Sequence, residues 1–226
     1  YPHIYSKLPY QAKDFEPISI GAIMHHGLAV GPAVPAEVKT LKDFLAWSKN
    51  NPDKASFGSP GAGTQPHLIG ALLSLRSGVK LSHVPYRGTA PAVSDLAGGQ
   101  IAAVMGPSGD FLSYYKAGKL RVLATSGQQR NPYLPNVPTF AEQGFSDLVA
   151  EEWFGFYANA KTPADVRQRA HAAITAALKS DALKDSVGVV GLIATSSTPE
   201  EMARSQQAEF DRWGPLVKQI GFTADS

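Results

Sequence analysis

The sequence predicts an α/β fold resting on a mostly parallel sheet with helices on both faces. Three observations predict it. Short apolar runs alternate with segments of helical period. The links between them are brief, as in strand–helix–strand units. Two glycine-rich turns lie where a strand gives way to a helix: Ser59-Pro60-Gly61-Ala62-Gly63-Thr64 and Tyr86-Arg87-Gly88-Thr89-Ala90.

The elements follow in order. Ile18–Val30 alternates and then runs apolar, which predicts a strand; Pro32 and Pro35 end it in a crossing segment. Thr40 with Asp43 three positions on forms a capping box before the stripe Leu41, Phe44 and Leu45. Asn50-Asn51-Pro52 stops that helix. Ala55–Phe57, Leu81–Val84, Ile101–Met105 and Leu120–Thr125 read as strands. Thr64–Arg76, Ala90–Leu96 and Phe111–Lys116 read as helices, closed by Gly78, Gly98-Gly99 and Gly118. Residues Asn131–Pro138 are proline-rich, and Thr139–Gln143 is a short helix. Glu151–Ala160 is an aromatic strand. Thr162-Pro163-Ala164-Asp165 opens a helix to about Lys179 with proline at its first position. Leu192–Ala194 is a strand, and Ser197-Thr198-Pro199-Glu200 opens a last helix to Ile220.

At 226 residues the chain makes one large or two small domains. Charge is balanced, 21 basic against 19 acidic residues with no basic cluster, so a nucleic-acid partner is not expected. Cysteine is absent, which removes disulfide frameworks and thiolate metal sites. No cofactor or metal is expected. No apolar run approaches the ~18 residues of a membrane span.

Both glycine-rich turns fall at the carboxyl ends of predicted strands, where parallel sheets bind ligands. A helix start offers free N–H groups and the positive end of the helix dipole, which suits an anion. A capped connection, with Thr64 and Thr89 as the caps, is the bland reading, but three glycines within six residues, at positions 58, 61 and 63, exceed what a cap needs. The spacing is neither a phosphate-binding P-loop, since no lysine follows, nor a dinucleotide fingerprint. Tyr86 and Arg87 beside a helix start suit a carboxylate, though Arg87 also reads as solvent-exposed. His67 reads as a structural hydrogen-bonding residue in preference to a base. His25 and His26 are neighbours on a strand, so their side chains point to opposite faces and cannot share one metal. Met105-Gly106-Pro107-Ser108 ends a strand at the same sheet edge. Trp153-Phe154 reads equally as core or as a lid, and Glu151 and Glu152 as solvated surface.

Taken together, the motifs resemble one family. They are Phe57-Gly58-Ser59 with Gly61, Gly63-Thr64 and His67-Leu68, then His83-Val84-Pro85-Tyr86-Arg87-Gly88, and Asp95-Leu96 with Gly98-Gly99-Gln100. Further along come Ala117-Gly118-Lys119-Leu120-Arg121, Leu134-Pro135 with Val137-Pro138-Thr139, Trp153-Phe154-Gly155, and Ser197-Thr198-Pro199-Glu200-Glu201 with Trp213. In order and spacing they look like the Bug (TctC-type) solute receptors of tripartite tricarboxylate transporters, from about Leu8 to Gly221.

That resemblance implies a two-lobed periplasmic-binding-protein (flytrap) fold, each lobe a mostly parallel sheet flanked by helices. Residues 1–30 and 151–226 would form a discontinuous first lobe and residues 31–150 the second. It implies a periplasmic, monomeric, non-enzymatic receptor that captures a small organic carboxylate in an interlobe cleft and delivers it to a membrane permease. The ligand-binding residues it implies are Ser59, Gly61, Gly63, Thr64, Gly88, Thr89 and Ala90; Tyr86, Gly106 and Trp153 join them from the reading of the residues. The family pattern begins with a strand and a Pro-Gly-Gly turn that this sequence lacks, so on the order of 60 residues, two strand–helix units, are expected to precede Tyr1.

Two other functions compete with this one. A hydrolase would use Ser59 or Ser56 with His67, and Asp53 or Asp95 as the orienting acid, but no nucleophile-elbow pattern surrounds either serine. A ligand-sensing domain for a signalling partner would use the same cleft.

Overall fold

The computed structural model describes residues 2–224; Tyr1, Asp225 and Ser226 lie outside the described residues. The chain divides into two compact units. One runs from His25 to Glu152; the other combines the chain up to Met24 with the chain from Trp153 onward. The first boundary falls inside strand β1 (Phe15–Val30), whose long apolar run favours extension.

The His25–Glu152 unit continues from the β1 end through α1 (Leu41–Asn50), β2 (Ser56–Ser59), α2 (Gln65–Ser77), β3 (Ser82–Pro85), α3 (Thr89–Ala97), β4 (Ala103–Pro107), α4 (Leu112–Lys116) and β5 (Arg121–Thr125). The sheet order is β3-β2-β4-β1-β5. β2 lies parallel to β3 and β4, whereas β1 runs antiparallel to β4 and β5, pairing Gly27 with Gly106 and Leu28 with Ala124. Four strands therefore share a direction and β1 opposes them. Apolar runs reveal that a strand is buried but not which way it points, so the reversal was invisible in the sequence.

Local signals act as the sequence implies. Thr40 Oγ1 accepts the Asp43 N–H, and the Asp43 carboxylate accepts the Thr40 N–H. Gly78 closes α2 at φ +66°, a conformation that favours glycine. Arg121 fixes the proline-containing crossing segment: its Nε donates to Val38 O at 3.0 Å, and its Nη2 to Val34 O and Pro35 O at 2.9 and 3.0 Å. Phe44, Phe57, Phe111 and Phe140 are fully buried with Leu72, Leu73 and Leu96.

The other unit pairs β1 with β6 (Glu151–Asn159) and, antiparallel, with the two-residue β7 (Ile193–Ala194). The parallel arrangement expected there is not found for β7. Around these strands lie α5 (Ala164–Leu178), α6 (Asp181–Gly188) and α7 (Pro199–Ile220). Pro163 is the cap residue of α5 and not its first helical position, as the sequence reading expected. The α6 helix was not anticipated; Ser180, whose side chain accepts the Leu183 N–H, caps it. Ile18, Ile20, Met202 and Val217 are buried, but α5 and α6 contain no buried residue, and Phe154, Phe156 and Tyr157 on β6 are exposed. No helix among the described residues is long and apolar enough to cross a membrane.

Candidate functional site

β2 and β3 are adjacent and parallel, with Ser59 opposite Pro85, so their carboxyl ends deliver both glycine-rich turns to one sheet edge. The turns are hydrogen-bonded to each other. Tyr86 N–H donates to Ser59 O at 2.9 Å, and Gly88 N–H to Pro60 O at 2.8 Å. β4 ends beside them: a Cβ on Gly106 would lie 3.3 Å from the Thr89 methyl. Gly63 adopts φ +77° and Gly88 φ +104°, backbone that side chains resist, so these glycines are required by the turns themselves.

The internal bonding decides which donors remain for a ligand. Gly61 N–H is held by Ser59 Oγ at 3.4 Å and Gly63 N–H by His67 Nδ1 at 3.0 Å. Thr64 Oγ1 donates to Gly61 O at 2.7 Å, and its side chain makes no capping bond to the helix. The expected Thr64 cap is thus replaced by a brace across the turn. Gly88, not Thr89, occupies the cap position of α3. Among the described residues, the backbone N–H groups of Gln65 on α2 and of Thr89 and Ala90 on α3 have no acceptor. These three, at two helix starts, face the dipole ends that favour an anion.

Tyr86 does not present its hydroxyl freely. The group donates to Asp95 Oδ2 at 2.9 Å, and burial followed by that bond pushes its pKa up to about 12. Arg87 is exposed. Trp153 belongs to the other unit, where its ring lies against Gly155.

The serine–histidine pairing expected for a hydrolase is not the one present. The partner of Ser59 is His83, with Oγ and Nε2 2.7 Å apart, while His67 accepts the Gly63 N–H. The His67 and His83 rings stack at 3.9 Å. Burial, and secondly His67, lower the His83 pKa to about 4. Ser59 is fully buried, and among the described residues no carboxylate bonds to His83. A nucleophile needs access to its substrate and an oriented base; the cluster instead holds the turn in shape. His83 was missed because its motif reads as plain β-strand.

His25 and His26 are buried on β1. His25 Nε2 lies 3.3 Å from Glu151 Oε1, and His26 Nε2 lies 3.0 Å from Glu152 Oε2 and 2.8 Å from Gln65 Oε1. Glu151 and Glu152, read from sequence as solvated surface, are thus histidine partners. The bond from His25 is the leading reason that the Glu151 pKa lies below the usual carboxylate range, and the Gln128 N–H adds to it. Among the described residues no cluster of histidine and acidic side chains is arranged to hold a metal ion.

The fold is of the periplasmic-binding-protein kind, and one edge of its sheet carries both glycine-rich turns. The model of the family described as "Tripartite tricarboxylate transporter family receptor" matches residues 1–222, and the chain belongs to that family. A UPF0065 protein from the tcbD–tcbE intergenic region of Pseudomonas sp. (strain P51) is 34% identical, covering 98% of this chain and 66% of its own length. BugT of Bordetella pertussis is 30% identical over 95% of this chain and 65% of its own. The chain therefore spans slightly less than two thirds of these relatives. Among solved structures, a periplasmic transporter superposes with a TM-score of 0.85 at 35% identity, covering 97% of this chain and 73% of that one. The R. palustris protein Rpa4515, solved with adipate, gives 0.85 at 28% identity with the same coverage. The periplasmic binding protein BugD gives 0.84 at 27% identity, covering 98% and 75%.

Proposed function

We propose that this chain is the ligand-capturing part of an extracytoplasmic solute receptor. It binds a small organic carboxylate at its paired glycine-rich turns and hands it to the permease of a tripartite tricarboxylate-type transporter. The carrying observation is the mutual bonding of two turns that each open into a helix with unpaired N–H groups at Gln65, Thr89 and Ala90. Such groups recognise a carboxylate through charge-assisted hydrogen bonds. The adipate held by a relative of the same fold supports the ligand class. The two compact units are the receptor's two lobes, and the protein works in the periplasm as a monomer without catalysing a reaction.

A thermal-shift screen of organic acids against matched amides and alcohols tests this reading. A ligand at 100 times its Kd adds about 2.7 kcal/mol of stability. Acids should stabilise the protein and amides should not; equal stabilisation by both would remove the anion argument.

A further inference from the structure

His26 offers a way to read the ligand more closely. Its side chain is completely buried on β1, and its Nε2 faces two groups at once: Glu152 Oε2 at 3.0 Å and Gln65 Oε1 at 2.8 Å. A carboxylate only accepts hydrogen bonds, so Nε2 must carry the proton. An Nε2 that donates can only be met by the oxygen of the Gln65 amide, not by its nitrogen. The Glu152–His26 pair therefore sets which arm of that amide is which. The NH2 arm is left without a partner among the described residues. Gln65 is the first residue of α2, directly after the Gly63-Thr64 turn, and among the described residues its backbone N–H has no acceptor.

We propose that Gln65 is a specificity-determining residue of the carboxylate site and that His26 is its positioning residue. The backbone donors take one carboxylate, and the Gln65 NH2 donates to an oxygen of a second, which makes the preferred ligand a dicarboxylate. This rests on the reading of the glycine-rich turns as the ligand site. The neutral amide adds a directed donor and no charge, so it rewards a ligand that places an acceptor oxygen there and leaves a monocarboxylate with one group unmet. Glu152 acts at one remove by keeping the His26 proton on Nε2.

Titration calorimetry with adipate and hexanoate, equal in carbon number but differing by one carboxylate, tests the proposal. The unaltered protein should prefer adipate by at least about tenfold, which is about 1.4 kcal/mol. Gln65→Met, similar in size but without side-chain donors, should reduce that preference below about threefold, chiefly by weakening adipate. Gln65→Glu keeps an oxygen for His26 but sets a negative charge against the ligand, and should weaken adipate further. Circular dichroism confirms that both variants fold. An unchanged preference in Gln65→Met, or none in the unaltered protein, overturns the proposal. Long-range proton–nitrogen NMR should find the His26 proton on Nε2; a neutral ring protonated at Nδ1 alone also overturns it. Gly63→Val separates the two levels. If that variant loses binding while Gln65→Met keeps the preference, only the assignment of Gln65 fails. If Gly63→Val binds normally, or neither acid binds the unaltered protein, the site reading fails and this assignment with it.

Discussion

Ser59 and His83 join neighbouring parallel strands side chain to side chain, with Oγ and Nε2 2.7 Å apart beneath the glycine-rich turn. Through the stacked His67 ring the contact extends to Gly63 N–H, so one small polar cluster supports the turn from β2, β3 and α2. The cluster works with neutral imidazoles: His67 must accept at Nδ1.

Acid should weaken the fold through this cluster. The unfolded chain protonates His83 below about 6.5, whereas burial and then the neighbouring His67 hold the folded group down to about 4. The unfolded state thus binds more protons between these values, and stability falls as pH drops from about 6.5 to 4. Burial lowers the His67 pKa as well, in the same sense. Glu151 acts lower: its stabilisation is present above the ordinary carboxylate pKa of 4.5 and is lost as pH falls below it. Denaturant midpoints measured from pH 7 to 4 should decline, and His83→Gln should flatten the upper part of the decline. An equally steep curve in that variant would refute the assignment.

Gly63→Val should abolish carboxylate binding. Valine is strained at φ +77°, and the shift would pull Gly63 N–H from His67. Thr64→Ala removes only the 2.7 Å brace to Gly61 O, costing about 1 kcal/mol of stability and only a modest part of the affinity. Calorimetry on both folded variants checks the contrast; near-normal affinity in Gly63→Val would move the ligand elsewhere.

Gly70→Ala should destabilise the protein by about 1–3 kcal/mol, although alanine is the better helix former. A Cβ at Gly70 would come within 2.2 Å of the fully buried Phe57 ring. Gly70→Ala combined with Phe57→Leu should recover part of the loss in chemical denaturation, because the added methyl then fills vacated space. No recovery would place the strain elsewhere.

Arg121→Ala should cost about 2–3 kcal/mol, since three backbone carbonyls at Val34, Pro35 and Val38 lose a charged donor. Lysine at this position cannot reproduce the fork and should recover only part of the loss. Urea unfolding of both variants provides the check.

Periodicity and punctuation carried most of the element pattern. The Thr40–Asp43 box, the Thr198 cap before Pro199 and the glycines after α2 and α4 all mark their boundaries through local chemistry, which a sequence displays. Strand direction is not local, so β1 was read without its reversal. The α6 helix was lost because its apolar residues Leu183 and Val187 make too thin a stripe. The turns were legible because Gly63 and Gly88 need left-handed backbone. Which donors those turns keep was not, because it depends on His67, a residue four positions on, and on a cross-strand partner, His83. The acidic partners of His25 and His26 were hidden for the same reason: they stand more than a hundred residues away.

The division of the chain also orders its assembly. The His25–Glu152 unit is continuous in sequence, whereas the other unit needs residues on both sides of it. During synthesis the continuous unit has all its strands before Trp153 emerges, while the early segment around Phe15 must wait for β6, β7 and α7. Closing contacts across so long a loop carries an entropic cost that slows them. The second unit should therefore be the last to gain protection in pulse-labelled hydrogen exchange, and its early strand residues are the ones exposed to chaperones meanwhile.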